Sequence, residues 1–268
     1  VPMAAREKRG AKGERRMSLG QHLIELRKRL FRSAIGIVLG AVVGWIVYPW
    51  VWDALRAPIA VIAESRDAVL NYQGITTAFD VHMQIAIYVG IFVSSPIWLY
   101  QIFAFLVPGL TGREKRYTFG FVFTAIPLFL AGCWAGWFVV PHIVIILTSF
   151  VPEEDASFIE AKDYLGFVLK LILAVGIAFV LPVFLVLLNF IGVMSARGIL
   201  KGWRIAILSI TLFTAIATPA ADPFSMFLLA IPMVLLYFVA VGIAFWHDAI
   251  AAKKAKKLES DIGSPSIA

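Results

Sequence analysis

Charge is scarce in this chain. Only 15% of its 268 residues are Asp, Glu, Lys or Arg, against ~25% in a typical soluble domain. With 60% hydrophobic residues, that shortage excludes an ordinary soluble globular domain. Cysteine is nearly missing. The single Cys133, inside an apolar run, cannot form an intramolecular disulfide and says nothing about redox compartment. The histidines His22, His82, His142 and His247 are scattered, so no metal site is expected. There is no phosphate-binding glycine loop and no nucleophile elbow, and no cofactor is implied. Alternating ~10-residue segments of barrel strands are absent as well. The first ~18 residues are polar and basic, so no cleavable signal peptide is expected.

What is there is a series of apolar runs near ~20 residues, the length of a membrane span. The pattern predicts an all-α, polytopic membrane protein. A disordered tail is expected over 1–19, a six-helix membrane domain over 20–248 and a basic tail over 249–268. The spans are expected at about Phe31–Trp50, Met83–Val107, Tyr117–Val140, Tyr164–Phe190, Ile205–Thr218 and Phe224–Trp246. Between the first two, Val51 to Val81 reads as a long polar loop, long enough to fold as a structured external cap. Ser95-Pro96 should kink the second span, because proline removes a backbone donor. The third has room to continue past Pro141 to Phe150. A break is expected in the fourth near Pro182, and the chain after His247 is expected to fray. The fifth and sixth helices are expected to be short. A ~14-residue fifth helix covers roughly 21 Å of a ~30 Å core, so the bilayer should thin there.

Positive charge fixes the sidedness. The N-terminal tail, the 2–3 and 4–5 connections and the C-terminal tail hold most Lys and Arg, including Arg27, Arg29, Arg113, Arg197 and Lys253. The opposite side holds Arg56, Arg66 and Lys162. Both termini are therefore expected in the cytoplasm. The basic tails read as membrane-surface charge rather than a nucleic-acid patch. Lys170, near the start of the fourth span, reads as a lysine snorkelling to the interface.

Two carboxylates, Glu25 and Glu114, stand on this basic face. Glu25 lies in His22-Leu23-Ile24-Glu25-Leu26-Arg27-Lys28-Arg29-Leu30. On a helix, Leu23, Leu26 and Leu30 share a face that suits the headgroup region. Glu25 and Arg29 are i, i+4 neighbours, so a helix salt bridge accounts for the pair as readily as a binding site does. Glu114 follows Thr111 by three residues, the capping-box spacing. It can cap a helix, face a groove or do both.

The first of these segments resembles the amino-terminal signature of the TatC family, the receptor subunit of the twin-arginine protein translocase. Further blocks agree: Pro96, Tyr100-Gln101, Phe105, Pro108-Gly109-Leu110 and Glu114; Leu55 and Pro58; Phe179-x-x-Pro182; Thr218-Pro219 with Asp222; Ile231-Pro232-Met233. The resemblance implies a non-enzymatic receptor in the prokaryotic plasma (inner) membrane. It would bind twin-arginine signal peptides of folded proteins and assemble, as a homo-oligomer, with single-span TatA and TatB subunits. Transport would be driven by the protonmotive force. By the same resemblance, Glu25 and Glu114 take the arginine pair, and Phe105 and Arg27 shape the site. Pro58 belongs to the external cap, and Thr218 and Asp222 lie near partner helices. The chain departs from the family pattern at Val180, Met226 and Phe238, where many members carry polar residues. The competing reading, a small-solute secondary transporter, calls for ionisable residues at the midplane, and the spans hold almost none.

Overall fold

The computed structural model describes residues 19–66, 69–106, 112–149, 158–217 and 223–262. It is almost entirely helical. Helix α1 (Leu19–Arg66) pairs with α2 (Thr77–Val93), and α3 (Ser95–Leu106) continues α2 after a bend of 58°. Helix α4 (Gly112–Ser149) runs antiparallel to α5 (Ala161–Phe190). A short α6 (Ala196–Lys201) leads into α7 (Trp203–Ala217) and then α8 (Pro223–Ile262). Strands β1 (Val69–Asn71) and β2 (Phe158–Glu160) pair in parallel, with Asn71 opposite Glu160.

Among the described residues, four helices are long and apolar enough to cross a bilayer, and the bent α2–α3 pair would make a fifth. Helix α7, at 15 residues, is the short one expected.

Glycine sets the closest helix crossing. Gly36, Gly40 and Gly44 are the buried positions of α1 over this stretch, spaced to share one face. A Cβ at Gly40 would stand 2.7 Å from the Gly90 carbonyl oxygen, and one at Gly44 2.5 Å from that of Ala86. Backbones approach this way where small residues recur at four-residue spacing. The opposite face of α1 turns Phe31, Val38, Leu39 and Ile46 outward, as a lipid-facing helix does.

The kink falls where proline predicts it. The break at Ser94 leaves carbonyls without helical partners, and the Trp98 indole Nε1 donates to the Ile91 carbonyl at 2.8 Å. Helix α4 runs through Pro127 and Pro141 to Ser149, as expected.

Three expectations are corrected. The stretch after Val51 is not a loop down to Val81, because α1 continues as helix to Arg66. Buried Leu55 and Ile59 anchor the extension, and the Tyr164 hydroxyl donates to the Leu55 carbonyl at 2.8 Å. The fourth span is not broken at Pro182. Helix α5 passes through it, buried among neighbouring helices that tolerate one missing backbone bond. The last helix is neither short nor frayed after His247. Ala, Lys, Leu and Glu are strong helix formers and carry α8 on to Ile262.

Candidate functional site

The structure joins the N-terminal end of α1 to the C-terminal end of α3, and the first turn of α4, which carries Glu114, comes next in the chain. On α1 the half-buried residues His22, Glu25 and Arg29 recur at i, i+3, i+7, so they share the inward face. Leu23, Leu26 and Leu30 point out, at 64%, 40% and 66% exposure. This stretch is amphipathic in the sense expected, with its leucines on the outer side.

The His22 ring stacks on Phe105 of α3, centroids 4.4 Å apart and planes 21° from parallel. Nearly four turns further along α1, Gly36 lets Ile97 of α3 approach. These contacts hold the start of α1 against the end of α3 and bring Phe105 to the turn that carries Glu25. The Glu25 carboxylate is engaged within its own helix. Arg29 Nε donates to Glu25 Oε1 at 2.9 Å, and Arg29 Nη2 donates to the same oxygen. Both side chains are largely covered, at 24% and 20% exposure.

Arg27 is exposed and lies about 200° around the helix from Glu25. The structure does not bring it to the His22–Phe105 face. Helix α4 begins at Gly112, so Glu114 is its third residue, the position that the capping-box spacing assigns it. Its side chain, and that of Pro58 within α1, lie outside what the structure describes. Thr218 and Asp222 fall between α7 and α8, outside the described residues.

A cavity of about 420 Å³ opens between α3 and α4, lined by Pro96, Tyr100, Gln101, Phe119 and Phe123 among others. Gln101 precedes Phe105 by one helical turn, so the cavity begins about a turn from the stacked ring. Its lining is apolar apart from Gln101 and the Tyr100 hydroxyl. The Gln101 Oε1 is buried and has no hydrogen-bond partner among the described residues.

Two further clusters were not foreseen. At the same end of the molecule, Asp248 of α8 accepts from the Ala196 backbone N–H at 2.8 Å and from Asn189 Nδ2 at 2.9 Å. His247 stacks on Phe190 at 3.9 Å. This clasp ties α5, α6 and α8, and only Ser195, a helix-capping residue type that here accepts from Gly198 N–H, signalled it in the sequence. At the opposite end, His82 is sandwiched between Trp45 and Tyr48 at 3.9 and 3.7 Å, and Lys162 pairs with Asp80 at 2.8 Å. Lys170 is exposed on α5. Among the described residues no three His, Cys, Asp or Glu side chains gather as a metal site.

Comparison with known proteins matches residues 21–232 to the family model described as Sec-independent protein translocase protein (TatC). The chain is 43% identical over 242 residues to the Sec-independent protein translocase protein TatC of Xylanimonas cellulosilytica, covering 90% of this chain and 88% of that one. It is 35% identical to the protein of the same name from Rothia mucilaginosa, covering 95% and 88%. A crystal structure of the twin arginine translocase receptor TatC superposes with a TM-score of 0.69 at 29% identity, covering 85% of this chain and 99% of that one. A second, of the same receptor in the detergent DDM, gives 0.71.

Proposed function

The chain belongs to the TatC family of Sec-independent protein translocase proteins, and from that premise we propose that Glu25 and Glu114 receive the paired arginines of an export signal peptide. A TatC protein is a membrane component of a translocase, not an enzyme, so its chemistry is recognition. The observation that carries this reading is the position of Glu25. It is a largely covered carboxylate on the inward face of a basic helix, one turn from a ring stack that joins α1 to α3.

Guanidinium is a planar fork that a carboxylate matches with two parallel bonds, which a lysine ammonium cannot reproduce. Each charged hydrogen bond contributes ~1.5–3 kcal/mol net. Two carboxylates would then supply roughly 3–6 kcal/mol, or about two to four decades of affinity. A wet interface favours the lower end. Phe105 offers a ring face beside the first carboxylate. Arg27 contributes to the positive potential that turns away basic peptides not aimed at the pair. A signal peptide carries an apolar segment after its charged start, and the α3–α4 cavity is an apolar surface within one turn of the site.

In the full assignment, six spans cross a prokaryotic plasma membrane with both termini in the cytoplasm. Helix α7 is the fifth span. The Thr218–Asp222 turn lies near single-span TatA- and TatB-type helices, and Pro58 belongs to an external cap. The protein works as a homo-oligomer within the complex, and the protonmotive force drives transport.

The test is a double-mutant cycle between each glutamate and each signal arginine, read by peptide binding in detergent. Glu25→Gln and Glu114→Gln should each weaken binding about tenfold and leave the protein folded, with coupling of ~1.5 kcal/mol or more to an arginine. Coupling near zero for every pair would reduce Glu25 to a salt-bridge partner and Glu114 to a cap.

A further inference from the structure

The ligand proposed for Glu25 is an arginine, and in this structure Glu25 already holds one. We infer that Arg29 is an internal competitor, a guanidinium of the receptor's own that occupies the carboxylate until a signal arginine displaces it. The inference rests on the receptor reading above and goes further, because it assigns Arg29 a role in setting the affinity of that site.

The geometry supports it in three ways. Arg29 aims the Nε–Nη2 edge of its guanidinium at Glu25 Oε1, so it brings to that oxygen the same donors that an incoming arginine would bring. The pair lies on the inward face with its side chains mostly covered, so Arg29 and a ligand guanidinium that needs Oε1 must approach it from the same limited space. The Arg29 backbone is fixed by its own helix, and its carbonyl accepts from Ser33 Oγ at 3.1 Å, so displacement needs only a side-chain rotation.

An i, i+4 pair of this kind is occupied most of the time but is held weakly. The apparent affinity of a ligand is then reduced by the fraction of receptor whose carboxylate is open. That factor is the same for every ligand that needs the open carboxylate. Arg29 therefore sets a threshold that all cationic peptides must exceed, while the choice of arginine over lysine is left to the fork geometry itself.

The experiment measures binding of a synthetic twin-arginine signal peptide and its twin-lysine counterpart to the full-length protein in detergent. Arg29→Gln should bind both peptides more tightly, by the same factor of about two to five, with their ratio unchanged. Arg32→Gln, the same charge loss at an exposed residue one turn on, should gain less. In a Glu25→Gln background, Arg29→Gln should gain nothing. If Arg29→Gln binds more weakly than the parent, Arg29 supports the carboxylate and the inference is overturned. If Arg32→Gln matches its gain, net charge explains the effect and the inference is again overturned. Loss of twin-arginine preference in Glu25→Gln would leave the receptor reading standing in either case. An unchanged Glu25→Gln would remove both.

Discussion

At the residue scale, the proposed site adjoins one ring contact between helices distant in sequence. His22 and Phe105 are 83 positions apart and stack at 4.4 Å. If the stack presents the Glu25 turn to α3, Phe105→Ala should weaken peptide binding several-fold, and Phe105→Tyr, which keeps the ring, should restore it. Binding isotherms on the two variants decide this; equal loss in both would show that the ring face is not what counts. Charge placement made the carboxylates legible. Glu25 and Glu114 stood out because acidic residues are rare on the basic side, and the i, i+4 spacing foretold the Arg29 pair that the structure contains. The ring stack was not legible, since nothing in the local pattern of either helix records which aromatic faces which histidine. Nor does exposure on the helix surface appear in a motif, which is why Arg27 reads as a site residue in the sequence and stands on the other side of α1 in the structure.

At the element scale, the bend between α2 and α3 was written in Ser95-Pro96, because a missing N–H acts locally. Pro182 and Pro58 carry the same signal, yet the helices around them run on. Burial decides the difference. Leu55 and Ile59, at 2% and 3% exposure, pack the α1 extension onto the core, and Tyr164 binds the Leu55 carbonyl. The sequence suggests a loop there because Asp53, Arg56 and Pro58 interrupt the apolar residues, yet Val51, Trp52, Leu55 and Ile59 keep the spacing of one helix face. Tyr164→Phe should therefore loosen the extension by ~1–3 kcal/mol, the cost of a buried carbonyl left unpaired. Faster amide exchange over residues 52–62, with the rest of α1 unchanged, is the expected readout. The α1–α2 crossing gives a second prediction at this scale. Gly44→Val would place its Cβ within 2.5 Å of the Ala86 carbonyl oxygen. The helices must then separate, at a cost of ~1–3 kcal/mol or more. Earlier loss of structure in a thermal scan of the detergent-solubilised variant is the check.

At the scale of the whole molecule, the orientation proposed from the charge distribution can be read by labelling. With both termini inside, single cysteines at Ser65 and Ser157 in a Cys133→Ser background should label from outside intact cells. Cysteines at Ser18 and Lys201 should not; external labelling of Lys201→Cys would invert the assignment. The two ends of the molecule also differ mechanically. At one end the β1–β2 pairing, the Lys162–Asp80 bridge and the Tyr164–Leu55 bond join the α1–α2 hairpin to the α4–α5 hairpin. The strands pair in parallel, so neither can peel away as part of a simple turn, and α5 starts directly after β2. The bundle is thus pinned at its strand end like the legs of a compass. A splay of about 5° about such a pin, carried across a ~30 Å hydrocarbon core, parts the far ends by roughly 2.6 Å. That is close to the length of a hydrogen bond, enough to shift the start of α1 against the start of α4, while the Glu25–Arg29 pair, which lies within α1, stays as it is.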